Sequence, residues 1–252
     1  MTDLLQIEAL APFVLVGFLA QMVDGALGMA FGIISNTLLV TLGVPPAAAS
    51  AGVHTVETFT TCVSGISHAI HRNVDWRLFL RLVIPGVVGG LVGVYAVTSI
   101  PAEIVKPIVL VYLTSIGLLL LWRGTHKPPA ERRPRVVEPL GLVGGFLDAA
   151  GGGGWGPVVT SNLLVQGASP RLTVGTVNTV EFFLTATVSA AFITTLGWKA
   201  FTTATVGLLI GGVLAAPLGA LLAKRIAAPR LMTLVGAVLT VTSAFNLWNA
   251  LA

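Results

Sequence analysis

Long runs of apolar residues alternate with short polar breaks along the whole chain. Five apolar segments precede a basic stretch at 123–138 and five follow it. Runs of about 18 or more apolar residues are typical of membrane-spanning helices. The pattern therefore predicts an all-α, polytopic membrane protein with segments at Leu4–Val23, Ala26–Leu42, Ala47–Ile70, Trp76–Ser99, Ala102–Trp122, Pro139–Ala149, Gly156–Gln166, Pro170–Leu196, Lys199–Leu222 and Pro229–Leu251.

The first two segments after the basic stretch are too short to cross a bilayer separately. Each has 11 residues, which as a helix is about 16 Å long, whereas the hydrocarbon core is about 30 Å thick. We expect a broken or re-entrant pair of helices that meet at the intervening glycines, in the first half as well as the second. Whether each pair spans the membrane or re-enters is left open.

The two halves resemble each other when one is shifted by 124 residues. Asp24 then aligns with Asp148, and VHTVETFTT at 53–61 aligns with VNTVEFFLT at 177–185. From 24 to 61, 13 of 38 positions are identical without a gap, whereas composition alone would give about a tenth. We infer an internal duplication with a first repeat at 1–123, a linker at 124–138 and a second repeat at 139–252.

Basic residues predict the orientation of the two repeats, because cytoplasmic loops collect them. In the first repeat they follow the third segment, as Arg72, Arg77 and Arg81. In the second repeat they follow the fourth segment, as Lys224, Arg225 and Arg230. A basic, cytoplasmic linker after five segments then places the repeats in opposite orientations, with both termini outside. This is the inverted-topology repeat that many secondary transporters share.

Composition agrees with a membrane protein that lacks a soluble domain. Of 252 residues, 55% are hydrophobic and 10% are charged, whereas soluble domains have about 25% charged residues. The net charge of +4 is explained by the cytoplasmic loops, so we expect no nucleic-acid partner. The single cysteine, Cys62, cannot form an internal disulfide and is expected to pack in an apolar segment.

The run DAAGGGGWGP at 148–157 is the strongest candidate for a binding site. Each glycine costs a helix about 1 kcal/mol relative to alanine, so the run predicts a helix break. A helix that restarts at Gly156 and Pro157 would offer free N–H groups and the positive end of its dipole to an anion. The alternative is that small residues allow close helix packing, which we prefer for the pairs Gly86/Gly90 and Gly89/Gly93.

Four acidic residues lie in or directly beside apolar segments and have no basic residue close by in sequence: Asp24, Glu57, Asp148 and Glu181. Such residues usually line substrate or ion pathways, and burial favours their neutral form. Glu57 and Glu181 either couple protons or brace the site by accepting backbone N–H bonds; we expect Glu181 to be the more sensitive. For the two aspartates capping is preferred. His54 shares a helix face with Glu57 and is read as a buried donor, without a metal or a cofactor.

The motif AAGGGGWGPVVTSNLL, its weaker first-half copy and the stretch GTVNTVEFF resemble the TauE/SafE sulfite exporter family over nearly the whole chain. The resemblance implies a bacterial inner-membrane carrier that moves small sulfur-containing anions, such as sulfite or organosulfonates, often outward. One feature departs from the pattern: the first half has GALGMAFGII, without the glycine run or the proline. The two half-sites are therefore expected to differ.

These observations combine into one hypothesis: a secondary transporter for a small oxyanion, with its site at the midplane between the two broken helix pairs. A passive anion channel is the alternative, and a membrane-embedded enzyme ranks lower because the chain has no GxGD, Ser/His elbow or HExxH motif. A homodimer is one candidate assembly. A side chain at Gly153 is expected to block transport without unfolding the protein.

The expected substrate-binding residues are Gly28, Gly32, Asn36, Gly152, Gly153, Gly154, Trp155, Gly156, Thr160, Ser161 and Asn178. The residues expected to couple protons or brace the site are Asp24, His54, Glu57, Asp148 and Glu181.

Overall fold

The computed structural model describes residues 7–27, 31–126, 132–197, 203–225 and 228–251, and these ranges contain helices and no strand. The all-α prediction is confirmed for them. The helices are α1 (Ile7–Leu27), α2 (Phe31–Thr41), α3 (Pro46–Ile70), α4 (Trp76–Ser99), α5 (Ala102–Thr125), α6 (Glu138–Gly151), α7 (Ser161–Val165), α8 (Pro170–Leu196), α9 (Thr203–Arg225) and α10 (Ala228–Leu251), with a π-helical turn at Trp155–Thr160 directly before α7.

Several helices have the length and apolar character that a bilayer requires. Among the described residues, α4, α5 and Leu172–Leu196 of α8 are long and apolar enough to cross a membrane. Shorter apolar stretches lie in α1, α2 and α9. Large apolar side chains on the outer surface include Tyr95 and Trp248, both largely exposed, as expected of surfaces that face lipid.

Helices of one half pack mainly against helices of the other half. The most extensive contacts are between α1 and α9, α4 and α6, α5 and α10, and α3 and α8. Because α6 is the repeat mate of α1 and α9 that of α4, the first helix of each half packs on the fourth helix of the other. The same helix contacts thus occur in both halves. The opposite orientation of the halves in the membrane stays a prediction from the charge pattern.

Glycines allow the closest of these contacts. A Cβ atom on Gly89 of α4 would collide with the carbonyl oxygen of Leu142 in α6, and one on Gly211 of α9 would collide with that of Val14 in α1. A Cβ on Gly86 would lie 2.8 Å from the ring of Trp155. The packing role preferred for the α4 glycines is therefore confirmed, since small residues let helix backbones approach closely.

The helix break predicted in the second half is present. Helix α6 ends at Gly151, and Gly152 and Gly153 follow with φ angles of 68° and 136°, a region that L side chains rarely adopt. The chain then restarts at Trp155. In the first half, α1 ends at Leu27 and α2 begins at Phe31; the residues between them lie outside the described ranges.

The described part of the linker is attached to both halves. The Gln166 side chain accepts hydrogen bonds from the N–H groups of Arg135 and Val136, both at 2.9 Å, and donates one to the Val136 carbonyl at 2.9 Å. Arg81 of α4 forms an ion pair with Glu138. The hydrogen bond from Arg81 holds the pKa of Glu138 at about 2, below its usual range.

Candidate functional site

A small buried cavity lies where α1 and α2 of the first half meet the glycine run of the second half. All four acidic residues named from the sequence line it, Asp24 from α1, Glu57 from α3, Asp148 from α6 and Glu181 from α8. The rest of its wall consists of Gly32, Ile33, Gly153, Gly154, Gly156 and Pro157. The cavity offers about 10 Å³ to the centre of a water molecule, which is room for one.

The glycine run folds around the carboxylate of Asp148, which is 1% exposed. Its Oδ1 atom accepts hydrogen bonds from the N–H groups of Gly154 at 2.7 Å and Trp155 at 2.9 Å. The N–H groups of Gly152 and Gly153 bond to the main-chain carbonyl of the same aspartate. Asp148 therefore caps the restarting helix and engages four consecutive backbone donors.

Asp24 makes the corresponding contact in the first half. Its Oδ1 atom accepts a hydrogen bond of 3.2 Å from the N–H group of Phe31, the first residue of α2. Both aspartates thus cap the second helix of their own repeat, the role preferred for them from the sequence. A carboxylate at this place also suits the positive end of the helix dipole.

A buried histidine from the first half pairs with the aspartate of the second. The Nε2 atom of His54 lies 2.9 Å from Oδ2 of Asp148, and its Nδ1 atom lies 2.8 Å from the carbonyl oxygen of Ser50. A carbonyl oxygen only accepts, so Nδ1 carries a proton. The contact with Asp148 ties α3 of the first half to the carboxylate at the helix break of the second half.

Glu57 and Glu181 both line this cavity. They are equivalent positions in the sequence repeat, which predicted that they would lie close together. Glu57 is 5% exposed, and its Oε1 atom lies beside the backbone of Gly32, 2.7 Å from where a Cβ atom on that glycine would stand. Its Oε2 atom is buried and has no hydrogen-bond partner among the described residues. Glu181 is 9% exposed and is close enough to Asp24 and Asp148 to interact with their charges. Only one oxygen of Glu57 therefore makes a contact of the bracing kind. Proton coupling by Glu57 or Glu181 stays a prediction.

The polar residues predicted to bind substrate, Asn36, Thr160 and Asn178, are not among the described residues that line this cavity. Asn36 donates a 2.5 Å hydrogen bond to the Gly151 carbonyl, and its Oδ1 atom has no partner among the described residues. The Thr160 hydroxyl is likewise buried and unpartnered within those ranges. Asn178 is buried. Gly28 and the side chain of Ser161 lie outside the described residues.

Trp155 is positioned as a packing residue. Its ring is fully buried over Gly86 and Gly144. Its indole N–H donates a 3.2 Å hydrogen bond to the carbonyl of Val177. These contacts direct the ring toward α4, α6 and α8, and its backbone N–H is the part that reaches Asp148. The site thus uses the main chain of Trp155.

The expectation that a side chain at Gly153 would spare the fold is wrong. A Cβ atom there would lie 2.5 Å from the carbonyl carbon of Gly32 and from the nitrogen of Ile33. The φ angle of 136° disfavours any side chain as well. Gly153 is therefore a contact between the two halves, and its substitution affects stability.

Sequence reasoning missed Tyr112 of α5. Its hydroxyl donates a 3.1 Å hydrogen bond to the carbonyl of Gly153. Its ring occupies the space that side chains at Gly151 and Gly154 would need. A polar aromatic residue in the middle of an otherwise apolar segment was the available signal.

Among the residues that the structure describes, no group of three or more His, Cys, Asp or Glu side chains could hold a metal ion.

Comparison with known proteins gives the family. The family described as Sulfite exporter TauE/SafE matches residues 13–246 of the chain. The chain belongs to this family. It is also 39% identical over 251 residues to the Probable membrane transporter protein YtnM of Bacillus subtilis (strain 168), an alignment that covers 96% of this chain and 84% of that protein. No solved structure matches the chain.

Membership of the TauE/SafE family decides the general class of the protein. The family and the Bacillus relative support a multi-pass membrane transporter rather than an enzyme. The apolar helices agree with this assignment. The cavity between the helix breaks is then the candidate transport site, because it is the place where buried charges and interrupted helices coincide.

Proposed function

We propose that this TauE/SafE protein is a secondary transporter, acting as an exporter, for a small sulfur-containing oxyanion such as sulfite or an organosulfonate. It would act in the bacterial inner membrane with its two repeats inverted and its linker in the cytoplasm. The observation that carries the proposal is the convergence of two helix starts, at Phe31 and Trp155, on one cavity.

The chemistry of this cavity supports an oxyanion as substrate. Backbone N–H groups at helix starts bind anions, and here those of Phe31, Gly154 and Trp155 already hold carboxylates. A sulfite or sulfonate group presents oxygens of the same hydrogen-bonding type. The carboxylates of Asp24 and Asp148 therefore occupy the N–H groups that would bind the substrate. For the substrate to bind there, it must displace these carboxylates, or they must take up a proton.

The size of the cavity supports a carrier over a permanent pore. Room for about one water is too little for an oxyanion of four or more heavy atoms. Substrate entry then requires the helix breaks to move apart. Relative movement of two repeats around a fixed site is how many secondary transporters alternate access.

A counterflow screen tests this function. Purified protein in liposomes would be loaded with sulfite, thiosulfate, sulfate, sulfoacetate or taurine, and exchange would be compared with protein-free liposomes. We expect exchange of at least one sulfur oxyanion. Absence of exchange for all five would overturn the proposal. Accumulation against a concentration gradient under an imposed pH gradient separates a carrier from the alternative, a passive channel.

A further inference from the structure

Glu57 is the least satisfied carboxylate at the cavity. Its Oε1 atom lies beside the backbone of Gly32, while Oε2 is buried and has no partner within the described ranges. The side chain is 5% exposed and lines the cavity. An ionised carboxylate oxygen in such a place is unfavourable because burial without a hydrogen bond is costly.

The groups that face Glu57 increase this cost. Glu181 of α8, Asp148 of α6 and Asp24 of α1 all interact with its charge and are themselves acidic. Two further titratable groups contact this part of the site without an observed contact to Glu57. His54 bonds to Asp148, and the Tyr112 hydroxyl donates to the carbonyl of Gly153.

The contact between Glu57 and Gly32 connects protonation with anion binding. We infer that Glu57 takes up a proton on Oε2 and then yields the N–H group of Gly32 to the substrate oxyanion, so that proton and anion bind together. This inference rests on the proposed anion transport and names the coupling residue of that site. A neutral carboxyl group is a weaker acceptor than a carboxylate, and Gly32 lies where the two breaks meet.

The direction of coupling follows from this shared donor. If protonation of Glu57 strengthens anion binding, then anion binding must strengthen proton binding by the same factor. Proton and anion therefore move in the same direction across the membrane, and export is then driven by the outward concentration gradient of the anion. With one linked proton, apparent affinity for a fully ionised substrate would improve by up to about tenfold for each pH unit of acidification. The proton comes from water on the side of entry and returns to water on the side of release.

The experiment combines exchange with a proton count in the same liposomes. The anion is thiosulfate or sulfoacetate, whichever exchanges, because sulfite itself binds a proton near neutral pH. If sulfite alone exchanges, the protons that it binds or releases inside are calculated from the measured amount of sulfite that enters and are subtracted. A trapped pH dye reports protons that enter with the anion. The variants are Glu57→Gln, Glu181→Gln and, as a matched loss of one exposed carboxylate, Glu103→Gln.

Wild-type protein and Glu103→Gln are expected to carry protons inward with the anion and to bind it more tightly as the pH falls. Glu57→Gln is expected to exchange the anion without proton movement and with an affinity that does not depend on pH. Outward proton movement in the wild type, or none at all, would overturn the inference without any variant. So would retained coupling in Glu57→Gln, or its loss in Glu181→Gln alone. Failure of all anions to exchange would instead refute the proposed function.

Discussion

Replacing Asp148 by alanine should destabilise the protein more than any other single loss of a carboxylate at the cavity. Its side chain joins the glycine run to His54, through two backbone N–H groups and the imidazole Nε2 atom at 2.7–2.9 Å. Alanine would leave all three groups buried without their partner. Asparagine would keep an acceptor for Gly154 and Trp155, and its amide could donate to a neutral His54.

The size of the effect follows from these three contacts. A buried polar group left without a partner costs about 1–3 kcal/mol, so Asp148→Ala should lose roughly 3–9 kcal/mol. That is a large part of the roughly 5–15 kcal/mol that stabilises a typical protein. Asp148→Asn exchanges two charge-assisted bonds for neutral ones and should lose about 1–3 kcal/mol. A water that enters the vacated space would move the alanine value toward its lower limit.

Asp75 provides a matched control. It caps α4 by accepting bonds from the N–H groups of Arg77 and Leu78 at 2.9 and 3.1 Å, but it lies at an exposed helix start, where water can replace it. Asp75→Ala should lose only about 1 kcal/mol. Melting of detergent-purified variants would rank them, and a double-mutant cycle with His54→Ala should be non-additive because the two side chains share one contact. Equal melting of Asp148→Ala and Asp75→Ala, or full additivity in the cycle, would refute the reasoning.

Three further predictions concern the helix break and the linker. Gly153→Ala should lower the melting temperature more than Gly43→Ala, since both positions have positive φ but only Gly153 has backbone atoms within 3 Å of the new Cβ; equal shifts would mean that strain alone matters. Val136→Cys in a cysteine-free background should react with an impermeant reagent in inverted vesicles and stay unlabelled in intact cells; the reverse would contradict the inverted topology. The Arg81–Glu138 pair should stabilise the protein slightly above the ordinary glutamate pKa of 4.5 and lose this effect as the pH falls toward 2. Comparing melting of Glu138→Gln with wild type across pH checks this, and a difference that persists at the lowest pH would contradict it.

The sequence predicted the helices well because their ends carry strong local signals. The observed bounds of α4 and α8 coincide with the predicted segments, where Asp75 caps one helix and Pro170 begins the other. Helix α1 continues to Leu27, beyond the predicted end at Val23. The predicted end lies directly before a charged residue, but Asp24 is helical and its carboxylate accepts a hydrogen bond from Phe31 of the next helix.

The candidate site was predictable in its membership but not in its contacts. The sequence repeat and the acidic residues in apolar segments indicate which residues converge, because ionisable residues inside a membrane protein usually line one substrate or ion pathway. The pairing of His54 with Asp148 joins residues 94 positions apart, and the bond from Tyr112 to Gly153 spans 41. Neither has a local pattern, because both depend on how helices of different halves pack. The direction of the Trp155 ring depends on the same packing.

The exchanged pairing of α1 with α9 has a consequence for how the protein is made. About 175 residues separate the end of α1 at Leu27 from the start of α9 at Thr203. At about 5–20 residues per second, the ribosome needs roughly 10–35 s to synthesise that stretch. During this time the first helix sits in the bilayer without its main partner, and the small-residue surface around Gly17, which in the finished protein lies against Leu208, faces lipid or an insertion factor. Premature release or cleavage of the nascent chain within this interval would leave an N-terminal fragment that has no partner for its first helix.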